Sequence, residues 1–312
     1  MDLRQLRHFV AVFERKNLSK AAEAIPLSQP ALTRSMKTLE DLLGVELFER
    51  HARGATPTAA GERLYHHAKS ILAECARAKR DASQPIGELS GTVSIGIGAL
   101  FATRIFDEMI SKFCKEHPKV KVEVRQGYFE DLIALLDLGQ IEVAFINFPL
   151  LSLPESMDFE PLLEIQTSVF AAADHPAAKI KEPTMERLRD YMWATVDQPH
   201  ATEVLDSLFI SEGVAAPAPA VKANSLTLIK SLVLSGDFVG LLPHHMLWDE
   251  IKSGEVVRLN LQSTPLIRSA GLISRIEAFR RPVADALAKE IRQTVVREEG
   301  VLSPVEKTAG AN

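Results

Sequence analysis

Leu3, Leu6, Val10 and Phe13 return at intervals of three and four residues, so the chain opens on an amphipathic helix. Arg15-Lys16-Asn17 suits the C-terminal end of that helix. A second short helix is expected over about 18–25, with Ala21-Ala22 as a close-packing pair. Pro26 stops it, since proline cannot continue an α-helix. Ser28 is placed as the N-cap of a third helix, which tolerates Pro30 in its first turn. On that helix Leu32, Met36, Leu39 and Leu43 form the expected buried stripe, and Gly44 ends it. Gln29, Thr33 and Lys37 share another face, with Arg34 beside Lys37. Two short helices joined by a tight turn, the second carrying such side chains outward, form the helix-turn-helix that enters a DNA major groove. Gln and Arg bond bidentately to adenine and guanine edges, while Thr and Lys serve bases or phosphates. On this pattern alone, an ordinary solvated helix face is an equal reading.

From Thr58, a good N-cap with Glu62 one turn in, a long helix is expected to about residue 88, where Pro85 and Gly87 end it. Leu64, Ala68, Ile71, Cys75, Ala78 and Ala82 follow a 4-3-4-3-4 spacing, the seam of a two-helix coil with small residues for close approach. About 28 residues at ~1.5 Å each give a rod on the order of 40 Å. A helix packed against its own domain is the competing reading.

After Gly91 the pattern changes to alternating strands and helices. Strands are expected at 92–98, 120–124, 143–146, 168–172, 192–196, 221–223, 236–242 and 271–274. Helices are expected at 101–117, 132–138, 202–212, 226–235 and 281–297, and residues 301–312 as a disordered tail. Such βαβ alternation predicts a mainly parallel sheet covered by helices.

Length supports two or three domains, and 46% hydrophobic with 25% charged residues is a soluble globular composition. No run approaches the ~18 apolar residues of a membrane helix. The N-terminus lacks the apolar core of a secretory signal, and two cysteines build no disulfide framework, so a cytoplasmic protein without membrane contact is expected. Net charge is −5, yet residues 1–80 hold 14 Lys+Arg against 9 Asp+Glu, and the remainder 22 against 32. A basic head on an acidic body directs only the head toward a polyanion.

Ala21-Ala22, then Leu27-Ser28-Gln29-Pro30-Ala31-Leu32-Thr33, Leu39-Glu40 and Leu42-Leu43-Gly44-Val45-Glu46-Leu47-Phe48-Glu49-Arg50 together resemble the signature of LysR-type transcriptional regulators. Arg53-Gly54 and Thr58-Ala59-Ala60-Gly61 continue the match, which spans nearly all of residues 2–62. The resemblance implies that Ser28, Gln29, Pro30, Thr33, Arg34 and Lys37 lie on the DNA-reading helix. It assigns Arg50 and Arg53 to a wing near phosphate or minor groove. It favours the paired-rod reading of Leu64, Ala68, Ile71, Cys75 and Ala78, giving a homodimer or homotetramer whose heads address half-sites roughly 34–36 Å apart or a multiple of that.

The order of elements in the body is similar to the effector domain of the same family, and to type 2 periplasmic solute-binding proteins. The implied fold is α/β: an N-terminal all-α winged helix-turn-helix over 1–60, a linker helix over 58–88, and an effector domain over 91–300. That domain divides into two α/β lobes, 91–162 with 268–300 and 163–267, joined by two crossover strands. Glu142 stands where the family usually has aspartate. Ligands of open α/β sheets bind beyond the carboxyl ends of strands, where helix N-termini donate N–H groups. That rule selects the stretches 99–103, 127–129, 147–148, 197–202 and 224–225, and within them Leu100, Thr103, Asn147, His200, Thr202, Asn224 and Ser225, with Phe101, Phe129 and Phe148 as apolar walls. Thr202 and Ser225 serve at least as well as helix caps, and residues such as Phe101 and Phe129 are more often plain core. A small organic effector, anionic or aromatic, is expected, together with promoter DNA and, as a further candidate partner, RNA polymerase.

Enzymatic chemistry finds no support. Gly96-Ile97-Gly98 lacks the third glycine of a dinucleotide fingerprint, Phe101 standing in its place. His66-His67 and His244-His245 are adjacent, so neither pair presents metal ligands on one helical face. A transport-type solute-binding protein and an α/β enzyme are the alternatives. The basic head speaks against the first and the missing catalytic constellation against the second.

Overall fold

The computed structural model describes residues 1–51, 54–82, 89–101, 104–148, 153–261, 266–276 and 281–297. Arg53, Pro85, Gly87, Thr103 and the tail expected over 301–312 lie outside these residues.

Asp2 accepts from the Gln5 N–H while the Gln5 side chain accepts from the Asp2 N–H, a reciprocal box that starts α1 (Leu3–Arg15). Lys16, at φ 51°, closes that helix. Asn17 belongs not to its end but to α2 (Leu18–Ala24), where its side chain accepts from the N–H groups of Ser19 and Lys20. Ser28 takes the N-cap position of α3 (Gln29–Leu43), although its side chain makes no capping bond. Leu6, Phe9, Val12, Ala21, Leu32, Met36 and Leu39 meet in one buried core. Leu43, expected in that core, is 38% exposed because the last turn of α3 runs past it. The strands β1 (Phe48–His51) and β2 (Gly54–Pro57) form the antiparallel wing.

Thr58 caps α4 (Ala59–Ala82), its hydroxyl accepting from the Gly61 N–H. Over 24 residues this helix runs ~36 Å. The seam expected along it is corrected in its first turns. Ala68 is wholly buried in the head's own core, and Leu64 packs against the same core. Tyr65 stacks on Phe13 with centroids 3.9 Å apart, and Glu14 of α1 accepts from Tyr65 Oη and Lys69 Nζ at 3.0 and 2.9 Å. Alanine at 68 is small because α1 lies against it. Farther on, Ile71 and Ala78 are exposed and Cys75 is half-buried.

The body begins with β3 (Gly91–Gly98), a 3-10 turn over Ala99–Phe101, α5 (Arg104–Glu116), β4 (Val120–Gly127), α6 (Phe129–Asp137) and β5 (Val143–Asn147). The long β6 (Met157–Ala172) leads to α7 (Met185–Leu188), β7 (Met192–Val196), α8 (Pro199–Ser211), β8 (Val221–Ala223), α9 (Leu226–Leu234) and β9 (Phe238–Pro243). Then follow α10 (Trp248–Ser253), β10 (Val256–Arg258), β11 (Leu266–Arg275) and α11 (Pro282–Arg297). Among the described residues these strands make one sheet in the order β4-β3-β5-β11-β6-β9-β7-β8, with β10 also on β6.

Pairing is parallel inside each lobe and antiparallel wherever β6 or β11 takes part. Those two strands are the crossovers, paired from Leu266↔Thr167 to Arg275↔Met157. Leu163 and Ile165 still sit in the first lobe's core, so the changeover lies beyond the boundary expected at 162/163. Gly271 stands at the bulge in this ladder, where a Cβ would overlap the Glu160 carbonyl. Gly96 lies against Ile141 and Leu132, a close-packing role that accounts for glycine without any nucleotide. Glu142 binds the buried Arg281 at 2.9 Å, and Arg281 also donates to the Thr92 carbonyl, which fastens the start of α11 to the sheet.

Candidate nucleic-acid interface and ligand cleft

On α3 the buried stripe Leu32, Met36 and Leu39 turns the opposite face outward. Ser28, Gln29, Pro30, Arg34 and Lys37 are exposed and Thr33 is half-buried. Gln29 Oε1 accepts from Ser19 Oγ at 3.2 Å, a bond that orients its amide from the neighbouring helix. His8 of α1 meets Ser35 at 2.8 Å on the inner side, fixing the rotation of α3. Arg50 lies on β1, with its side chain outside the described set. One convex helix face thus combines a bidentate amide, a guanidinium and an ammonium, which suits a groove lined with base edges and phosphates.

In the body a cleft opens between the lobes, with a cavity of ≈ 160 Å³. Three helices begin at its edge: α6 brings Tyr128 and Phe129, α8 brings Gln198 and Ala201, and α9 brings Leu226. Leu100, Ile146, Asn147, Val196 and Leu241 line the walls, while Thr167, Leu266 and Arg268 come from the crossover strands. Helix starts carry the positive end of the backbone dipole, so the cleft favours negative charge.

Hydrogen bonds from Tyr128 and His245 join the lobes across this cleft. Tyr128 Oη donates to the Asn224 carbonyl at 3.1 Å. At the back, His245 Nε2 donates to the Leu100 carbonyl at 2.8 Å, and its ring stacks on Phe101. Since a carbonyl only accepts, that bond puts the proton on Nε2 and leaves Nδ1 buried with no hydrogen-bond partner among the described residues. Burial pushes the His245 pKa down to about 4.

Of the predicted effector residues, Leu100, Phe129 and Asn147 line the cleft. Phe101 does not: it is fully buried in the first lobe's core against Phe106 and Phe145. Phe148 packs between Phe129 and Phe159, behind the wall. Ser225 caps α9, accepting from the Leu228 N–H, and Asn224 contributes its carbonyl to the Tyr128 bond. Thr202 stands one position past the lining residue Ala201, and the side chain of His200 is outside the described set. The sequence reading missed Tyr128, Gln198, Thr167 and Arg268. The first two fall inside stretches chosen by the strand-end rule, whereas Thr167 and Arg268 lie on crossover strands that the rule does not reach. Cys75 and Cys114 sit on α4 and α5, outside the cleft.

A winged helix-turn-helix joined through a long helix to a two-lobed ligand-binding body defines a ligand-responsive DNA-binding regulator. Residues 3–62 match the bacterial regulatory helix-turn-helix proteins of the lysR family, and residues 87–295 match the LysR substrate binding domain. The chain belongs to the LysR family of transcriptional regulators; it is not an enzyme. It is 30% identical over 297 residues to the HTH-type transcriptional regulator GalR of Pseudomonas putida, covering 95% of this chain and 74% of that one. With the DNA-binding transcriptional dual regulator OxyR of Escherichia coli it shares 28% identity over 309 residues, covering 99% and 100%. Full-length CbnR complexed with its target DNA shares the fold, with a TM-score of 0.64 at 22% identity over 94% of this chain and 100% of that one.

Proposed function

We propose that this regulator reads promoter DNA with Gln29, Arg34 and Lys37 of α3, and that a small organic effector in the interlobe cleft changes how it sits on that DNA. The observation that carries this reading is the placement of α6. Its first residue, Phe129, lines the cleft, and its last, Asp137, meets α4. There Ser70 Oγ donates to the Asp137 carbonyl, and His66 Nδ1 stands 3.9 Å from the Asp137 carboxylate. A helix of nine residues spans ~14 Å as a stiff unit, so a ligand that shifts its start also shifts the helix bearing the DNA-reading head. The ligand biases the equilibrium only by binding one arrangement of lobes more tightly than the other. Altered DNA bending or half-site occupancy is the output.

Two heads are required for paired half-sites, and we assign self-association to the outer part of α4, around Ile71 and Ala78, rather than to Ala68. Contact with RNA polymerase and a cytoplasmic location belong to the same reading. Among the described residues no helix is long and apolar enough to cross a membrane. DNase footprinting and bending assays on the DNA upstream of the chain's own gene test the mechanism. A cleft-binding metabolite should change the protected length or the bend. A metabolite that binds the cleft and leaves both unaltered contradicts it.

A further inference from the structure

Among the described residues that line the cleft, Arg268 is the cation. It lies on β11, opposite Ile165 of β6, at the point where the crossover strands pass from one lobe's core to the other. Leu266 and Arg268 face the cavity while Ile267 between them is 54% exposed, as the alternation of a strand requires. Arg268 Nη1 is buried and has no hydrogen-bond partner among the described residues. A guanidinium is too basic to escape this by losing its proton, so Nη1 is a desolvated donor with no acceptor among the described residues. Leaving such a group unmatched costs more than leaving it in water, and an anion in the cleft removes that cost.

The rest of the lining narrows the chemistry. Leu100, Phe129, Val196, Leu226, Leu241 and Leu266 make the walls largely apolar. Thr167 and Asn147 supply neutral hydrogen-bonding groups on either side of Arg268 along the crossover. Glu130 is the acidic lining residue and is exposed, at the start of α6. One cation set against one carboxylate at the edge fits a single negative charge better than two. A cavity of ≈ 160 Å³ matches the ~150 Å³ space that holds one benzene ring in an engineered protein core.

Resting on the reading of this cleft as the effector site, we infer that the effector is a small monocarboxylate whose carboxylate pairs with Arg268 and whose body, about the size of one ring, fills the apolar walls. A planar carboxylate takes the guanidinium fork side-on, and the three helix starts add to the same field. Desolvation lowers the Arg268 pKa, in keeping with a cation held partly out of water.

Calorimetry on the full-length protein tests this with a panel of short, branched and aromatic monocarboxylates, each beside its primary amide. Arg268→Gln, Arg268→Lys and Ala201→Phe, the last reducing the cavity, are run in parallel, with a thermal melt to show that each variant is folded. The expected result is at least one acid preferred over its amide by about tenfold or more. That preference should vanish in Arg268→Gln, persist in weakened form in Arg268→Lys, and binding should fail in Ala201→Phe. Amides binding as tightly as acids, no acid binding at all, or a preference that survives Arg268→Gln would overturn the inference while leaving the cleft reading in place. Acid binding undiminished by Ala201→Phe would show that the ligand sits elsewhere, and would overturn the cleft reading as well.

Discussion

The base-reading surface we assign to α3 spans nine residues, Gln29 to Lys37, whereas the cleft draws on positions from Ala99 to Arg268. On α3, buried Leu32 and Met36 determine which way their neighbours point, so the outward side chains follow from helical spacing. In the cleft, no local pattern decides which residue of a strand-end loop faces inward. That depends on how the lobes meet, through Tyr128 on Asn224 and His245 on Leu100. A convex reader tolerates being specified locally; a concave one is a property of the whole body. The head is therefore expected to respond to substitution sharply and site by site, and the cleft through lobe geometry.

The largest expected effect separates the head's core from its partner surface. Ala68→Glu forces a carboxylate into a fully buried site and should cost at least about 3 kcal/mol of head stability, read by chemical denaturation of the full chain. Ile71→Glu, three residues away and 36% exposed, should leave that stability within about 0.5 kcal/mol. It should instead weaken self-association in sedimentation experiments. A head that melts normally with Glu at 68 would return Ala68 to the seam.

A comparable effect, confined to the body, concerns pH. His245 titrates at about 4 when folded and at 6.5 when unfolded, so the unfolded chain binds the extra proton first. Stability should be fully present above about pH 6.5 and fall by about 3 kcal/mol as pH drops toward 4. Denaturation midpoints in this window should show the slope, and His245→Gln should flatten it. An unchanged slope in that variant would remove His245 as its source.

The smallest expected effect sharpens the picture of the cleft mouth. Tyr128→Phe deletes one cross-lobe hydrogen bond, a loss of about 1 kcal/mol. It should speed ligand entry and exit in stopped-flow measurements more than it alters affinity. Unchanged rates would mean that the Tyr128–Asn224 bond does not guard the entrance.

How far the fold could be read beforehand follows the same division. The three head helices, the long α4 and most body elements announced themselves through periodicity and caps. The first eleven residues of β6 did not, because Met157–Thr167 is held by β11 about a hundred residues farther on rather than by any local alternation. Arg268 escaped for the same reason: its surroundings come from that long-range pairing. Ala68 misled because a small residue at helical spacing serves equally for a partner helix and for α1 of its own chain. The Asn17 assignment failed on one residue of register between two helices, a usual margin at helix ends.

The most direct test of the whole account is equilibrium binding of the full-length protein to cognate and scrambled duplexes at one fixed salt concentration, with Gln29→Ala and Arg34→Ala beside the parent. Each variant should lose roughly 1–3 kcal/mol on the cognate site, with much of that discrimination gone on the scrambled one. Equal affinity of parent and variants for the cognate duplex, or the same loss on both duplexes, would contradict the placement of α3 in the groove.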